Sequence, residues 1–136
     1  MNESDTITQI LQTCRTVAVV GLSPKPHRDS WRIARYMQQQ GWRIVPVNPN
    51  ATEVLGERAY ANLTEAAREQ TIDLVDVFRH SDQVPALVDE AIAIGARAIW
   101  LQLGIAHDAA LARAAAAGLL AVQDRCLMVE HARHSA

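Results

Sequence analysis

Residues 17–37 read VAVVGLSPKPHRDSWRIARYM: an apolar run ending at Gly21, a turn rich in proline and basic residues, and then an amphipathic segment. In that segment Ile33, Ala34 and Met37 fall on one stripe at helical spacing, and Gly41 supplies a stop. A strand, a glycine turn and a helix in this order form the opening unit of nucleotide-binding α/β sheets. The dinucleotide fingerprint G-x-G-x-x-G wants glycine at three positions, whereas the register here gives Gly21, Ser23 and Pro26. Lys25, Arg28, Arg32 and Arg35 follow against a single acid, Asp29, in a chain whose net charge is −2.

Working outward, apolar runs and helical stripes alternate along the whole chain. Strands are expected at 16–22, 42–48, 72–78, 96–103 and 119–124. Helices are expected at 4–14, from Ser30 to Gly41, at 64–70 with Thr64 as cap, and at 81–94, 107–118 and 126–134; 55–63 reads as irregular. The strands are continuous apolar runs, as in sheets buried on both faces. The fold class expected is therefore α/β: a doubly wound parallel sheet of five strands in the order 3-2-1-4-5, forming a single domain over residues 1–136. In such folds the ligand lies beyond the carboxyl ends of the strands, which selects 21–30, 46–50, 78–84, 102–107 and 124–127.

Composition narrows the function classes. A chain of 136 residues with 49% hydrophobic content suits one globular domain. No apolar run is long enough to span a bilayer, and the polar, acidic N-terminus lacks the pattern of a signal peptide, so a cytoplasmic protein without membrane association is expected. Cys14 and Cys126 make neither a disulfide framework nor a metal spacing. The acidic balance, with no aromatics set into a basic stripe, argues against nucleic acid as a partner.

The basic turn instead suits a phosphorylated small molecule. The start of the Ser30 helix offers free N–H groups and the positive end of its dipole. Lys25, Arg28 and Arg32 can add charge, and Ser23 and Ser30 hydroxyls. NAD fits poorly, because two fingerprint glycines are replaced and the second strand ends in Pro46, Val47 and Asn48 with no carboxylate before Glu53.

The segments VGLSPKP (20–26), PVNP (46–49), VLGERAY (54–60), DVFR (76–79), WLQLG (100–104) and DRCLMVEHAR (124–133) together resemble the small stand-alone coenzyme A (CoA)-binding proteins. These are similar to the N-terminal CoA-binding domain of the succinyl-CoA synthetase α subunit. The resemblance spans residues 10–134 and implies a Rossmann-type fold with CoA as the cofactor. It implies that Gly21, Leu22, Ser23, Lys25 and Arg28 hold phosphates, and that Pro46, Val47 and Asn48 contact the adenosine side. Phe78 and Arg79 would line the nucleotide site, and Gln102 and Gly104 would border the pantetheine. The synthetase's catalytic histidine belongs to a second domain with no counterpart here. The expectation is thus a module that binds CoA or an acyl-CoA without catalysis of its own. The alternatives are a CoA-presenting subunit of an acyl-CoA enzyme and an NAD(P)-binding regulatory module. A homodimer and a partner enzyme chain both stay open.

The remaining chemistry-bearing residues take plainer readings. His80 is expected to contact the ligand, His107 to cap or flank a helix, and Glu130, His131 and His134 to be too few and too dispersed for a metal. Trp31 and Trp42 are read as surface residues and Trp100 as core or subunit contact. Cys126 follows strand five at the ligand edge, where a mixed disulfide with CoA is conceivable, although a structural cysteine is the ordinary reading. Cys14 precedes strand one, at the opposite edge.

Overall fold

A computed structural model describes residues 2–135. The chain runs through α1 (Glu3–Thr13), β1 (Thr16–Val20), α2 (Asp29–Gln39) and β2 (Arg43–Val47). A two-residue hairpin follows, β3 (Glu53–Val54) and β4 (Glu57–Arg58), in the segment expected to be irregular. Then come α3 (Leu63–Glu69), β5 (Leu74–Val77), a 3₁₀ turn (Ser81–Gln83), α4 (Val84–Ala93), β6 (Ala98–Leu101), α5 (Asp108–Ala116), β7 (Leu120–Val122) and α6 (Leu127–Ser135). Thr64 is not the cap of α3; Asn62 is, its Oδ1 accepting from Glu65 N at 2.9 Å, so the helix starts one residue earlier than expected. His107 caps α5, its Nδ1 accepting from Ala110 N at 3.1 Å.

The five main strands form one parallel sheet in the order β2-β1-β5-β6-β7. Counting only these strands, the order is 2-1-3-4-5 and not the expected 3-2-1-4-5. The α/β doubly wound class stands, but strand three joins strand one on the side away from strand two. Pro46 gives the physical reason. It lacks an N–H, so the strand that contains it belongs at an edge. In β2 the outward-facing groups at Pro46 and Asn48 are met by a single residue: Tyr60 N donates to Pro46 O at 3.0 Å, and Asn48 N donates to Tyr60 O at 2.8 Å. With strand two confined to the edge, strand three pairs with β1, and the topological switch point falls between β1 and β5.

Side chains alternate across the sheet, and both faces are covered. Ala18, Val20, Val75, Val77 and Ile99 pack under α3, α4 and α5. Val17, Val19, Leu74, Trp100 and Val122 pack under α1, α2 and α6. Trp100 is fully buried, its Nε1 donating to Arg125 O at 2.9 Å. Trp42 is buried too, contrary to the surface reading: it lies in the apolar cluster with Met37 and Ile44, and the Arg15 guanidinium sits over its ring at 5.6 Å. Trp31 is half-buried, with Arg35 over its ring at 5.4 Å. No helix among the described residues is long and apolar enough to cross a membrane.

The last helix, α6, is docked by the fully buried Leu127 and by a polar contact, Tyr36 Oη to His131 Nδ1 at 2.9 Å. Burial, with the nearby Arg15 and His134 charges, holds the His131 imidazole below the ordinary histidine range. Neutral His131 is thus the docked form; its contribution is complete above the ordinary histidine pKa and is lost as pH falls through the lowered one. Hydrogen exchange of the α6 amides, corrected for intrinsic rate, should therefore speed up as pH is lowered below the ordinary histidine pKa of about 6.5. Unchanged protection over that range would show that His131 does not hold the helix.

Candidate functional site

The switch point is organised around Gly21. Its φ is +88°, and a Cβ there would lie 2.4 Å from the Phe78 carbonyl oxygen. No side chain fits, so the chain crosses β5 at closer range than any other residue permits. Gly21 N donates to Val47 O at 2.8 Å, and Phe78 N to Val20 O at 2.9 Å, which locks the ends of β2, β1 and β5 together.

Beyond Gly21 the loop holds itself with its own polar side chains. Ser30 Oγ accepts from Ser23 N at 3.0 Å, and Ser23 Oγ accepts from Lys25 N at 3.1 Å. Asn48 Nδ2 donates to Leu22 O at 2.9 Å, while its Oδ1 accepts from Asn50 N at 2.9 Å. Leu22 is fully buried and anchors the loop in the core. Leu22, Ser30 and Asn48 therefore shape the loop, and what the loop presents is a cleft of about 580 Å³ lined by Gly21, Ser23, Lys25, His27, Arg28 and Ser30, with Asp29 and Phe78.

This cleft faces the start of α2. The N–H groups of Asp29, Ser30 and Trp31 have no acceptor among the described residues, and Arg28, at the cap position, makes no side-chain cap. The four-base cluster divides in two. Lys25 and Arg28 make no ion pair among the described residues and line the cleft. Arg32 is paired with Asp29, and Arg35 is stacked on Trp31. His27 joins the cleft; sequence reasoning passed over it because neutral histidine adds nothing to a charge count.

Phe78 separates this cleft from two further spaces. On the α2/α6 side lies a cavity of about 270 Å³ walled by Ile33, Phe78, Leu103, Ile105, Cys126 and Met128, with Gln102 as its buried polar group, Arg32 also on its lining, and Asp29 shared with the first cleft. On the other side, a cleft of about 520 Å³ is lined by Phe78, Arg79, His80, Ser81, Gly104 and Ile105, with Gln83. Gly104 has φ +86°, and its N–H donates to Asp124 Oδ1 at 2.8 Å. Pro46 is buried in β2, and Val47 borders only a small separate cavity of about 170 Å³ that Arg79 also reaches. The structure thus brings Gly21, Ser23, Lys25, Arg28, Ser30 and Phe78 together, sets Arg79 with Gly104 and Gln102 with Cys126 on either side of Phe78, and keeps Pro46 and Val47 within the sheet edge.

Under the apolar cavity lies a carboxyl that sequence reasoning did not single out. Asp76 is 1% exposed in the middle of β5, between Val19 and Trp100. Gln102 Nε2 donates to its Oδ1 at 2.6 Å, and Gln102 Oε1 accepts from Leu127 N at 3.4 Å. Burial pushes the Asp76 carboxyl up to about 7, opposed in part by the Gln102 bond. An acid at an inward position of the apolar run IDLVDVF is the signal by which it is legible. Among the described residues no group of three or more His, Cys, Asp or Glu side chains is placed to hold a metal ion.

A parallel sheet with a cationic, N–H-rich turn at its switch point defines the class: a Rossmann-type α/β domain. Residues 15–132 match the family model described as CoA binding domain, and the chain belongs to that family. It is 38% identical over 126 residues to the uncharacterized protein YneT of Bacillus subtilis (strain 168), covering 93% of this chain and 92% of that one. Among solved structures it is similar to a hypothetical protein from Pyrococcus horikoshii OT3, with 34% identity, a TM-score of 0.91, and 100% of this chain and 94% of the other covered. A Thermus thermophilus protein gives 36% identity and a TM-score of 0.88, with 98% of each chain covered. The fold also recurs in the dinucleotide-forming acetyl-coenzyme A synthetase 1 of Ca. Korarchaeum cryptofilum, at 21% identity and a TM-score of 0.70, over 82% of this chain and 26% of that one.

Two outcomes are expected of the site as built. Gly21→Ala should lower the melting temperature by the equivalent of about 2–4 kcal/mol, since backbone stands where its methyl would go; a melt within error of wild type would mean that the β1–β5 crossing yields easily. For Asp76 the raised pKa fixes the sign: its contribution is complete below the unfolded value of 3.8 and is lost as pH rises through about 7. Melting temperature measured against pH for wild type and Asp76→Asn should therefore diverge, the variant gaining relative to wild type between about pH 4 and about pH 7. Parallel curves would mean that Asp76 is ionised throughout.

Proposed function

We propose that the chain binds coenzyme A, free or as an acyl thioester, and holds it without turning it over. The observation that carries this reading is the pair Lys25 and Arg28, free of ion pairs among the described residues, on a cleft that opens onto the uncapped N–H groups of α2. CoA brings a pyrophosphate and a 3′-phosphate to such a cleft, more negative charge than NAD brings. Its neutral pantetheine arm suits the less polar space beyond Phe78. Membership of the CoA binding domain family supports the same choice. The second strand offers no carboxylate for an NAD ribose, and the Asn48 side chain at its end is already committed to the loop. Gly21, Ser23, Lys25, Arg28 and Phe78 are assigned to the nucleotide half of the ligand, with Leu22, Ser30 and Asn48 as the residues that position the loop. Arg79 and Gly104 border the same ligand on the far side of Phe78, and Gln102 meets the pantetheine arm.

The test is thermal unfolding with CoA, dephospho-CoA, acetyl-CoA, NAD and NADP at equal ionic strength. A ligand at about 100 times its dissociation constant adds about 2.7 kcal/mol, a rise of roughly 5–15 °C for a domain of this size. CoA and acetyl-CoA should give this rise, dephospho-CoA less, and acetyl-CoA should be recovered intact. A response to NAD or NADP alone would replace the reading with a regulatory nicotinamide-nucleotide module. Lys25→Ala and Arg28→Ala should each weaken CoA roughly tenfold and flatten the salt dependence of binding. Equal affinity in both variants would move the phosphates away from this loop.

A further inference from the structure

Beyond Phe78, the cavity of about 270 Å³ has apolar walls and one buried polar group, Gln102, 3% exposed. The Gln102 amide nitrogen carries two hydrogens. Asp76 takes one, and among the described residues the other has no acceptor. That second hydrogen gives a ligand carrying an acceptor a partner in the cavity. The amide carbonyls of a pantetheine arm supply such an acceptor while its methylenes fill the space between the apolar walls. The cavity and the cationic cleft share Asp29 and Phe78, so one elongated molecule can occupy both.

The sulfur that ends such an arm would meet another sulfur. Cys126 lines this cavity, half-buried, at the start of α6, with its carbonyl accepting from Glu130 N at 3.0 Å. The chain's other thiol, Cys14, is fully buried at the opposite ends of the strands, where burial pushes it up, away from the thiolate form.

We propose that Cys126 is a modification site for the ligand itself, exchanging with a CoA disulfide to give a protein–CoA mixed disulfide within the apolar cavity; this rests on the CoA reading above. In the exchange, the Cys126 thiolate attacks one sulfur of the CoA disulfide. That S–S bond breaks as the Sγ–S bond to one CoA forms. The other CoA leaves as a thiolate and takes up the proton that Cys126 gave up. Cys126 is oxidised, one CoA is reduced, and no further oxidant is consumed. The bound nucleotide acts as an address that brings the reactive sulfur to this one thiol.

The experiment is intact-mass and peptide-mapping analysis of the full chain after exposure to CoA disulfide or to pantetheine disulfide, which has the same reactive end without the nucleotide. Alongside it, thermal unfolding of wild type and Cys126→Ser is recorded with reduced CoA. One CoA per chain, mapped to Cys126 and formed at least about tenfold faster than the pantetheine adduct, is expected. Cys126→Ser should take no adduct yet still be stabilised by reduced CoA, and Cys14→Ser should label as wild type does. Equal rates for the two disulfides, or labelling at Cys14 alone, would overturn the proposal while leaving CoA binding intact. Absence of stabilisation by CoA in both proteins would remove the binding reading and this proposal with it.

Discussion

The close passage of Gly21 over the carbonyl of Phe78 is the contact on which the site depends. It brings three strand ends into one knot, with Gly21 N bonded to β2 and Phe78 N bonded to β1. Because no Cβ intervenes, the basic turn leaves the sheet at its surface and lands on the start of α2, and Phe78 stands in the middle of the three spaces that open there. The loop needs little else from the rest of the protein: Ser23, Ser30 and Asn48 satisfy its backbone, and Leu22 roots it in the core. What remains exposed is charge and free N–H groups, the two things an anion needs.

The cavity side rests on different physics. Asp76, Gln102 and the first N–H of α6 form a short polar chain through an otherwise apolar layer between the sheet and the α1/α2/α6 face. With its carboxyl pushed up to about 7, Asp76 sits near the balance between neutral and charged forms at neutral pH, where a modest change around it alters its charge. Its link to α6 through Gln102 ties the floor of the cavity to the helix that begins beside Cys126.

Most of the fold was legible because the strands are buried on both faces and three of the helices, α2, α4 and α5, stop at glycines, so each boundary falls within a few residues of its expected place. The strand order was not, although the signal was present: Pro46 sits inside an expected strand, and a residue without an N–H has no place in the middle of a sheet. Within the site, Gly21, Ser23, Lys25 and Arg28 could be read from one segment because loop and helix start are contiguous. His27 was overlooked as an uncharged neighbour of charged residues. Asp76 was overlooked because an acid in an apolar strand acquires meaning only once its burial is known. The cluster Lys25 to Arg35 could not be divided from sequence either, since whether a base faces a ligand or its own helix depends on partners such as Asp29 and Trp31.

The covering of the β2 edge also bears on assembly. Tyr60 takes up the Pro46 carbonyl and the Asn48 N–H on the outward side of the end of β2, and Pro46 offers no donor between them. At that end of β2, the covalent structure of Pro46 and the intramolecular clasp of Tyr60 together oppose pairing with a further strand. The cleft at Gly21, whose N–H is bonded to Val47 O at the end of β2, lies beside this clasped end of the strand.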